Sequence, residues 1–334
     1  MSADVRRVDP PAPVEDWGED SLAPDAVNLA VDLAGVALSA PVASASGCFA
    51  SGVEMDRFYD ITELGAVIVK SVTREPREGL WTPRMAETPS GMLNAIGLQN
   101  PGVDAWLEED LPWLRDRGAT VIASVAGRGP DDYRHVADRL TTEGGEAIAA
   151  LEINLSCPNV EDRGLVFACS PVDSAAVIAA VREVTDLPIL AKLTADVTSI
   201  VDIAAAVVEA GADGLTLINT LLGMSIDAET GRPDLYNTYG GLSGPAIRPI
   251  ALRAVHQVHR ALPHVPILGC GGVRTVEDVV AFLRAGASAV SVGTATYVDP
   301  FVGSTLITEL RRWLARRGLA SPRELIGATH PWGA

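Results

Sequence analysis

Short apolar runs recur along the chain, and each run ends at a polar or small residue. Such uninterrupted runs, rich in β-branched residues, are typical of strands that are buried on both faces of a parallel sheet. The pattern therefore predicts eight strands, within 41–46, 66–71, 120–125, 151–156, 188–193, 213–219, 266–272 and 288–293.

Amphipathic segments with helical periodicity separate many of these runs. Segments 199–214 and 275–289 share one layout: a helix, then Ala-Gly-Ala, then a strand, with the glycine placed where a helix ends. Segment 170–188 is another helix that leads into a strand. Strands alternating with helices predict an α/β fold, a (β/α)8 TIM barrel. The alternative is an open doubly wound sheet, but segment 44–52, "SASGCFASG", lacks the dinucleotide fingerprint usual in that fold.

The region before the first barrel strand has a different pattern. Residues 27–42, "VNLAVDLAGVALSAPV", predict a β-hairpin with Gly35 in its turn, which we expect at the bottom of the barrel. Residues 1–25 are rich in proline and acidic residues and predict a flexible arm. We therefore expect a single catalytic domain over residues 26–334.

Charge and cysteine content narrow the classes of function. The formal net charge of -17 disfavours binding to nucleic acid or to anionic lipid. No run of about 18 apolar residues and no signal-peptide core is present, which favours a cytoplasmic location. The four cysteines are scattered, which argues against a disulfide framework and against a zinc or iron–sulfur site built from this chain alone.

Two lysines end apolar strands at equivalent places. Lys70 follows "AVIV" and Lys192 lies in "LAKL". Catalytic residues of such barrels lie at the carboxyl ends of the strands, and a buried lysine needs a partner. An anionic ligand in the barrel mouth would supply one. For Lys70, an extended side chain at the barrel rim is the alternative.

The fourth predicted strand ends with polar residues around a cysteine. Asn154, Cys157 and Asn159 lie within "EINLSCPNV". A thiol with a tuned pKa can act as a general base near neutral pH. A nucleophilic thiol would need a neighbouring histidine, and no predicted strand ends with one, so the general base is favoured. The remaining cysteines are interpreted as small buried side chains: Cys48, Cys169 and Cys270.

Glycine-rich loops follow the last two predicted strands. Segments 269–278, "GCGGVRTVED", and 292–297, "VGTATY", each lead into a helix start, an arrangement that suits a phosphate group on backbone N–H groups. Thr275 and Asp278 form a predicted capping box. Asn219 and Thr220 end the sixth strand as ligands or as a cap. The apolar loop 90–102 is expected to fold over the barrel mouth.

With these features the chain resembles the dihydroorotate dehydrogenases, FMN-dependent barrels of pyrimidine (UMP) biosynthesis. The resemblance covers about residues 27–310 and rests on motifs that include "VKSVT", "GMLNAIGLQNPG", "EINLSCPNV", "GGLSGPAIRP", "GCGGV" and "SVGTA". Cysteine in "SCPN" resembles class 1 enzymes. The form "GMLNAIGLQNPG" resembles class 1B, whose catalytic chains work with a second subunit that carries FAD and a [2Fe–2S] cluster.

The resemblance implies roles for individual residues. It makes Cys157 the catalytic base. The substrate ring would be bound by Lys70, Asn94, Ala95, Ile96, Gly97, Leu98, Asn154, Asn159, Asn219 and Thr220. FMN would be bound by Ser46, Lys70, Ser71, Ser124, Asn154, Lys192, Ile218, Gly244, Gly271, Gly272, Gly293 and Thr294. Ser124 departs from the family, which often has asparagine there.

The implied activity is oxidation of (S)-dihydroorotate to orotate, with electrons passed from FMN to the partner subunit and then to NAD. A homodimer that joins the partner in a heterotetramer is also implied. Two redox alternatives are a class 1A-like enzyme that reduces fumarate and a dihydropyrimidine dehydrogenase-like enzyme. A catalytically silent barrel that serves as a scaffold is a third. The intact set of Lys70, Cys157, Lys192 and Asn219 argues against the scaffold.

Overall fold

Eight parallel strands form a closed barrel in the computed structural model, which describes residues 21–155 and 169–329. An isolated parallel bridge between Ala43 and Ala66 joins the first and last strands of the sheet. Around the barrel the strands are β3 (Val42–Ser44), β14 (Ala289–Val292), β13 (Ile267–Cys270), β10 (Gly214–Leu217), β9 (Ile189–Leu193), β8 (Ile148–Asn154), β7 (Val121–Val125) and β4 (Val67–Ile68). Each overlaps one of the predicted apolar runs, although β8 begins before its run at 151–156, and the predicted (β/α)8 barrel is confirmed.

Helices follow most of these strands and cover the outside of the barrel. The α-helices are α1 (Val103–Ala105), α2 (Leu111–Arg117), α3 (Pro130–Gly144), α4 (Pro171–Arg182), α5 (Ile200–Glu209), α6 (Arg248–Ala261), α7 (Val276–Ala285), α8 (Ala295–Val298) and α9 (Val302–Arg316). A π-helical turn, Trp106–Asp110, joins α1 to α2. Short 3-10 turns span Pro24–Ala26, Met55–Arg57, Ile61–Glu63, Gly145–Ala147, Pro245–Ile247 and Pro322–Leu325. Among the described residues, no helix has the length and apolar character needed to cross a bilayer.

Side-chain caps set where three of these helices begin. Ser170, Ser199 and Thr275 each accept a hydrogen bond from the backbone N–H group three residues later. The predicted capping box of Thr275 and Asp278 is present at the start of α7. The same helix ends at Gly286, whose φ of 117° is accessible to glycine at little cost.

A β-hairpin closes the amino-terminal end of the barrel. Strands β1 (Val31–Leu33) and β2 (Val36–Leu38) pair antiparallel around Ala34 and Gly35, which both have positive φ. Such a two-residue turn matches the twist of the flanking strands. The hairpin confirms the prediction, and its buried side chains pack against inward-facing barrel residues that include Ile68, Ile122, Leu190 and Leu268.

A second, antiparallel sheet lies over the other end of the barrel. Its order is β11 (Leu221–Gly223), β12 (Gly240–Ser243), β6 (Gly91–Asn94) and β5 (Met85–Thr88). The sequence pattern predicts only a loop for segment 90–102, whereas Gly91–Asn94 in its first part form strand β6. The sequence pattern missed this sheet because its strands are short and β6 pairs with β12, about 150 residues away in the chain.

The described end of the amino-terminal region is attached to the last helix. The Ser21 hydroxyl and the Leu22 backbone N–H group both donate to the carbonyl oxygen of Ala315, at 2.9 and 3.0 Å. Residues 1–20 lie outside the described part of the chain. The flexible arm over residues 1–25 therefore remains a prediction.

Replacing Leu33 with alanine should lower the free energy of unfolding by about 2–5 kcal/mol, because it opens a cavity between the hairpin and the barrel. Leu33 is fully buried. Ala37→Ser, at an exposed position of the same hairpin, should change the free energy by less than about 0.5 kcal/mol. Denaturant unfolding measures both. Equal midpoints for Leu33→Ala and the parent chain would show that the hairpin is not part of the core.

Candidate active site

The inside of the barrel is layered, with apolar residues at the hairpin end and polar residues above them. Side chains two positions apart on a strand point to the same face of the sheet. The residues two positions after the inward-facing apolar residues, such as Ile122 and Leu190, therefore also point into the barrel. The register of the strands places these residues at one level of the barrel, because Ser124 is paired with Glu152, Lys192 with Thr216, and Cys270 with Ser291 on neighbouring strands. The polar layer consists of Ser124, Glu152, Lys192, Thr216, Cys270 and Ser291.

A buried ion pair lies in this polar layer. Lys192 Nζ lies 3.3 Å from Glu152 Oε1, and the two side chains are 5% and 0% exposed. The Ser124 hydroxyl donates to Oε1 of Glu152 at 3.2 Å, and the Thr216 hydroxyl donates to Oε2 at 3.1 Å. Lys192 also donates to the Ser46 hydroxyl at 3.1 Å. The carboxylate is thus held by side chains of three other strands.

The pair determines the protonation state of the lysine. Burial lowers the pKa of Lys192, but this effect is outweighed by attraction to Glu152, electrostatic contributions from Cys270 and Cys48, and a hydrogen bond from Nζ to the Glu152 carboxylate. The pKa of Lys192 is raised above its ordinary value, so its ammonium group stays charged at neutral pH. The site therefore holds a fixed positive charge at the wall of the barrel mouth.

A cavity of about 340 Å³ lies at the carboxyl ends of the strands, directly above the polar layer. Most of the predicted site residues line it: Ser46, Lys70, Ser71, Asn94, Ile96, Gly97, Leu98, Asn154, Lys192, Ile218, Asn219, Thr220, Gly244, Gly271, Gly272, Gly293 and Thr294. Cys157 and Asn159 lie outside the described residues. The fold thus gathers side chains from distant parts of the chain into one site.

Two predicted site residues are placed away from the cavity wall. Ala95 is fully buried in a small apolar cluster with Leu93 and Leu235. The Ser124 hydroxyl is 2.8 Å from that of Ser71, which does line the cavity. Ser124 is therefore one hydrogen bond removed from the cavity, and a direct contact of either residue with a ligand remains a prediction.

Amide side chains in the cavity are held in defined orientations. Asn219 Nδ2 donates to Asn154 Oδ1 at 3.2 Å, and Asn154 Nδ2 donates to the Ser71 hydroxyl at 3.3 Å. The Asn94 amide donates to the backbone of β12 at 3.2 Å. The Tyr133 hydroxyl donates to the backbone carbonyl of Asn154 at 2.8 Å. This arrangement suits recognition of a planar ring that carries amide groups.

The glycine-rich loops offer backbone donors to an anion. Among the described residues, the N–H groups of Gly272 and Gly293 donate to no protein acceptor, and both residues line the cavity. Gly272 has a φ of 78°, and a Cβ atom there would lie 2.8 Å from the carbonyl oxygen of Gly244. Gly244 itself has a φ of 92°. These loops fit the phosphate group of a nucleotide cofactor.

Several residues of the site were not identified from the sequence. Glu152 is the most consequential, and its signal was a carboxylate inside an apolar strand, where burial without a partner is costly. Cys48 and Cys270 were interpreted as small buried side chains, yet both line the cavity. Burial raises the pKa of the Cys48 thiol, which agrees with an unreactive group. Cys169 is exposed, so its interpretation as buried is wrong: it lies just before the start of α4.

Comparison with protein families gives one clear match. The family model described as dihydroorotate dehydrogenase matches residues 28–314 of this chain. The match covers all eight barrel strands and the cavity residues named above.

Curated relatives are similar over nearly their whole length. The catalytic subunit of dihydroorotate dehydrogenase B (NAD(+)) from Geobacillus kaustophilus is 50% identical over 306 residues, which is 92% of this chain and 97% of that protein. The subunit of the same name from Listeria innocua is 50% identical over 297 residues, 89% of this chain and 97% of the relative. A crystal structure of DHODH from Eimeria tenella in complex with ferulenol has a TM-score of 0.76 at 23% identity, covering 90% of this chain and 88% of that one. That likeness supports the fold.

Proposed function

The chain belongs to the dihydroorotate dehydrogenase family, and from this premise we propose that it oxidises (S)-dihydroorotate to orotate as the catalytic subunit of an NAD-linked enzyme. The family predicted from the sequence motifs is thereby confirmed. The observation that carries the proposal is the cavity at the carboxyl ends of the barrel strands, where amides, lysines and glycine-rich loops meet. The amides, the lysines and the glycine-rich loops would each have a distinct role in this reaction.

Membership of this family implies a flavin, and the residues present fit FMN, one per chain. Gly244, Gly271, Gly272, Gly293 and Thr294 would bind the ribityl phosphate region, since two of these loops carry backbone N–H groups with no protein acceptor in the described chain. Ser46, Ser71, Lys192 and Ile218 would hold the ring system. FMN bound there supplies a hydride acceptor.

The residues of this chain would carry the remaining chemistry. Dihydroorotate must lose a proton from C5 and a hydride from C6. Cys157 is the proposed base for the C5 proton, an assignment that rests on the "SCPN" motif. The ammonium group of Lys192 would stabilise negative charge that develops in the cavity, because it is charged and enclosed.

The amides would provide selectivity for the pyrimidine ring. Asn94, Asn154 and Asn219 line the cavity and are oriented by protein hydrogen bonds. A site built to hydrogen-bond such a ring rejects analogues that leave its buried amides unpaired. Lys70 and Thr220, which line the cavity, complete the proposed substrate contacts together with Asn159, which lies outside the described residues.

To reach NAD, the electrons would leave this chain through another protein. The sequence contains no dinucleotide fingerprint between a strand and a helix, and its scattered cysteines form no iron–sulfur pattern. We therefore propose a partner subunit that carries FAD and a [2Fe–2S] cluster. We also propose that the complex is located in the cytoplasm. We also propose a homodimer, for which Met85, Leu222 and Met224 offer exposed apolar side chains on and beside the second sheet.

Replacing Cys157 with alanine should leave FMN bound and slow flavin reduction by dihydroorotate about 100-fold or more, because a positioned base contributes that much. Cys157→Ser should retain a little activity, shifted to higher pH. Anaerobic stopped-flow absorbance at the flavin band measures both. A Cys157→Ala variant that reduces its flavin at the parent rate would refute the assignment of the base.

Replacing Gly272 with valine should give folded protein without the yellow colour of bound FMN. The new Cβ would meet the carbonyl oxygen of Gly244 at 2.8 Å, at a φ that a β-branched residue rarely adopts. Gly129→Val is the matched control, since nothing lies within 4 Å of a Cβ there. Absorbance and circular dichroism give the outcome. Full FMN occupancy in Gly272→Val would place the phosphate elsewhere.

The purified chain alone should oxidise dihydroorotate with artificial dyes or oxygen and should not reduce NAD. Addition of the iron–sulfur flavoprotein subunit should restore NADH formation, which is followed at its absorbance band. Mass spectrometry first confirms that no partner is present. Robust NADH production by the chain alone would contradict the proposal. Robust reduction of fumarate would favour the class 1A-like alternative.

A further inference from the structure

Glu152 takes no part in the function proposed above, although its carboxylate is fully buried beneath the cavity. We propose that Glu152 is a positioning residue for this reaction, which holds the ammonium group of Lys192 charged and in place at the cavity wall. The part of this inference that concerns catalysis rests on the proposed function. The ion pair itself can be tested without substrate.

The geometry of the carboxylate supports this role. Glu152 lies near the middle of β8, and its oxygens accept hydrogen bonds from Ser124 on β7 and Thr216 on β10 as well as from Lys192 on β9. Both oxygens are therefore occupied by donors from neighbouring strands. Such full satisfaction is what allows a charge to remain inside a barrel.

Stability alone does not explain the pair. Well-packed apolar residues of similar volume usually stabilise a core as well as a buried ion pair does, and often better. The layer below consists of such residues, including Ile122, Leu190 and Leu268. The pair instead sits where Lys192 reaches the cavity, so its effect on that lysine gives it a functional reason.

Lys192 is fixed from two sides. Its Nζ donates to Glu152 at 3.3 Å and to the Ser46 hydroxyl at 3.1 Å. Cys48, in the loop after β3, and Cys270, at the end of β13, line the same cavity and also contribute to the raised pKa of Lys192. Among these groups Glu152 makes the largest contribution that favours the charged lysine.

The sign of the expected pH dependence follows from the burial of Lys192. In the parent chain its pKa is raised above 10.5, so the lysine is protonated in both folded and unfolded states below that pH. In Glu152→Gln, burial is left as the dominant effect and should depress the pKa in the folded state. The unfolded state then binds more protons, and stability should rise with pH up to about 10.5.

The test is thermal and denaturant unfolding of the FMN-loaded chain between pH 7 and 10. Relative to the parent, the folding equilibrium constant of Glu152→Gln should increase with pH, by up to about tenfold per pH unit for one proton. This additional increase with pH should vanish in the double variant that carries both Glu152→Gln and Lys192→Met. Asp213→Asn removes a carboxylate paired with Arg182 outside the barrel and should add no slope. A Glu152→Gln variant that parallels the parent overturns the inference.

A second comparison covers the case in which Glu152→Gln does not fold. Lys192→Met leaves a buried carboxylate without its counter-charge, so it should be less stable than the double variant that also carries Glu152→Gln. If the double variant is no more stable than Lys192→Met, the two side chains do not act as a unit, and the inference fails.

The effect of Glu152 on catalysis is tested separately, by the rate at which dihydroorotate reduces the bound flavin. Glu152→Gln should slow flavin reduction by dihydroorotate about tenfold to a hundredfold, the worth of one misplaced charge-assisted hydrogen bond, and Glu152→Asp should restore part of the rate. An unchanged rate would overturn the positioning role. If the parent chain is not reduced by dihydroorotate at all, the proposed function fails, while the unfolding slopes still decide the ion pair.

Discussion

The buried ion pair between Glu152 and Lys192 is the constraint on which the site depends. A charge inside a barrel must be matched and hydrogen-bonded, and here three strands contribute donors to one carboxylate. This requirement divides the barrel interior into two layers. The hairpin fills the lower layer with apolar side chains, and the polar layer above it forms the floor of the cavity.

Much of the fold could be predicted because the apolar runs and helix caps are local signals. Thr275 and Asp278 predicted the start of α7, and each apolar run became a barrel strand. The second sheet could not be predicted, because Asn94 pairs with Gly241 and no local pattern links residues so far apart. The same holds for Glu152, whose partners Ser124 and Thr216 lie on other strands. The motif cysteine, Cys157, lies outside the described residues.

Ser124 shows how a short side chain can connect the buried ion pair to the cavity wall. Its hydroxyl bridges Glu152, at 3.2 Å, and the Ser71 hydroxyl, at 2.8 Å. Ser71 in turn accepts a hydrogen bond from Asn154, which lines the cavity. A hydroxyl can both donate and accept, so it can continue the chain of hydrogen bonds from the buried carboxylate to the cavity wall.

The two lysines of the cavity, which the sequence pattern presents as equivalent, are in different electrostatic situations. Lys192 is enclosed, and its charge depends on a counter-charge within the barrel. Lys70 is only partly buried and also borders a neighbouring cavity of about 680 Å³, whose charged lining residues besides Lys70 are Glu54, Arg77, Glu78 and Asp110. Solvent can stabilise the charge of Lys70, so this lysine depends less on a counter-charge inside the protein. The enclosed lysine therefore provides the fixed charge at the wall of the cavity, and that charge is matched by its buried carboxylate partner.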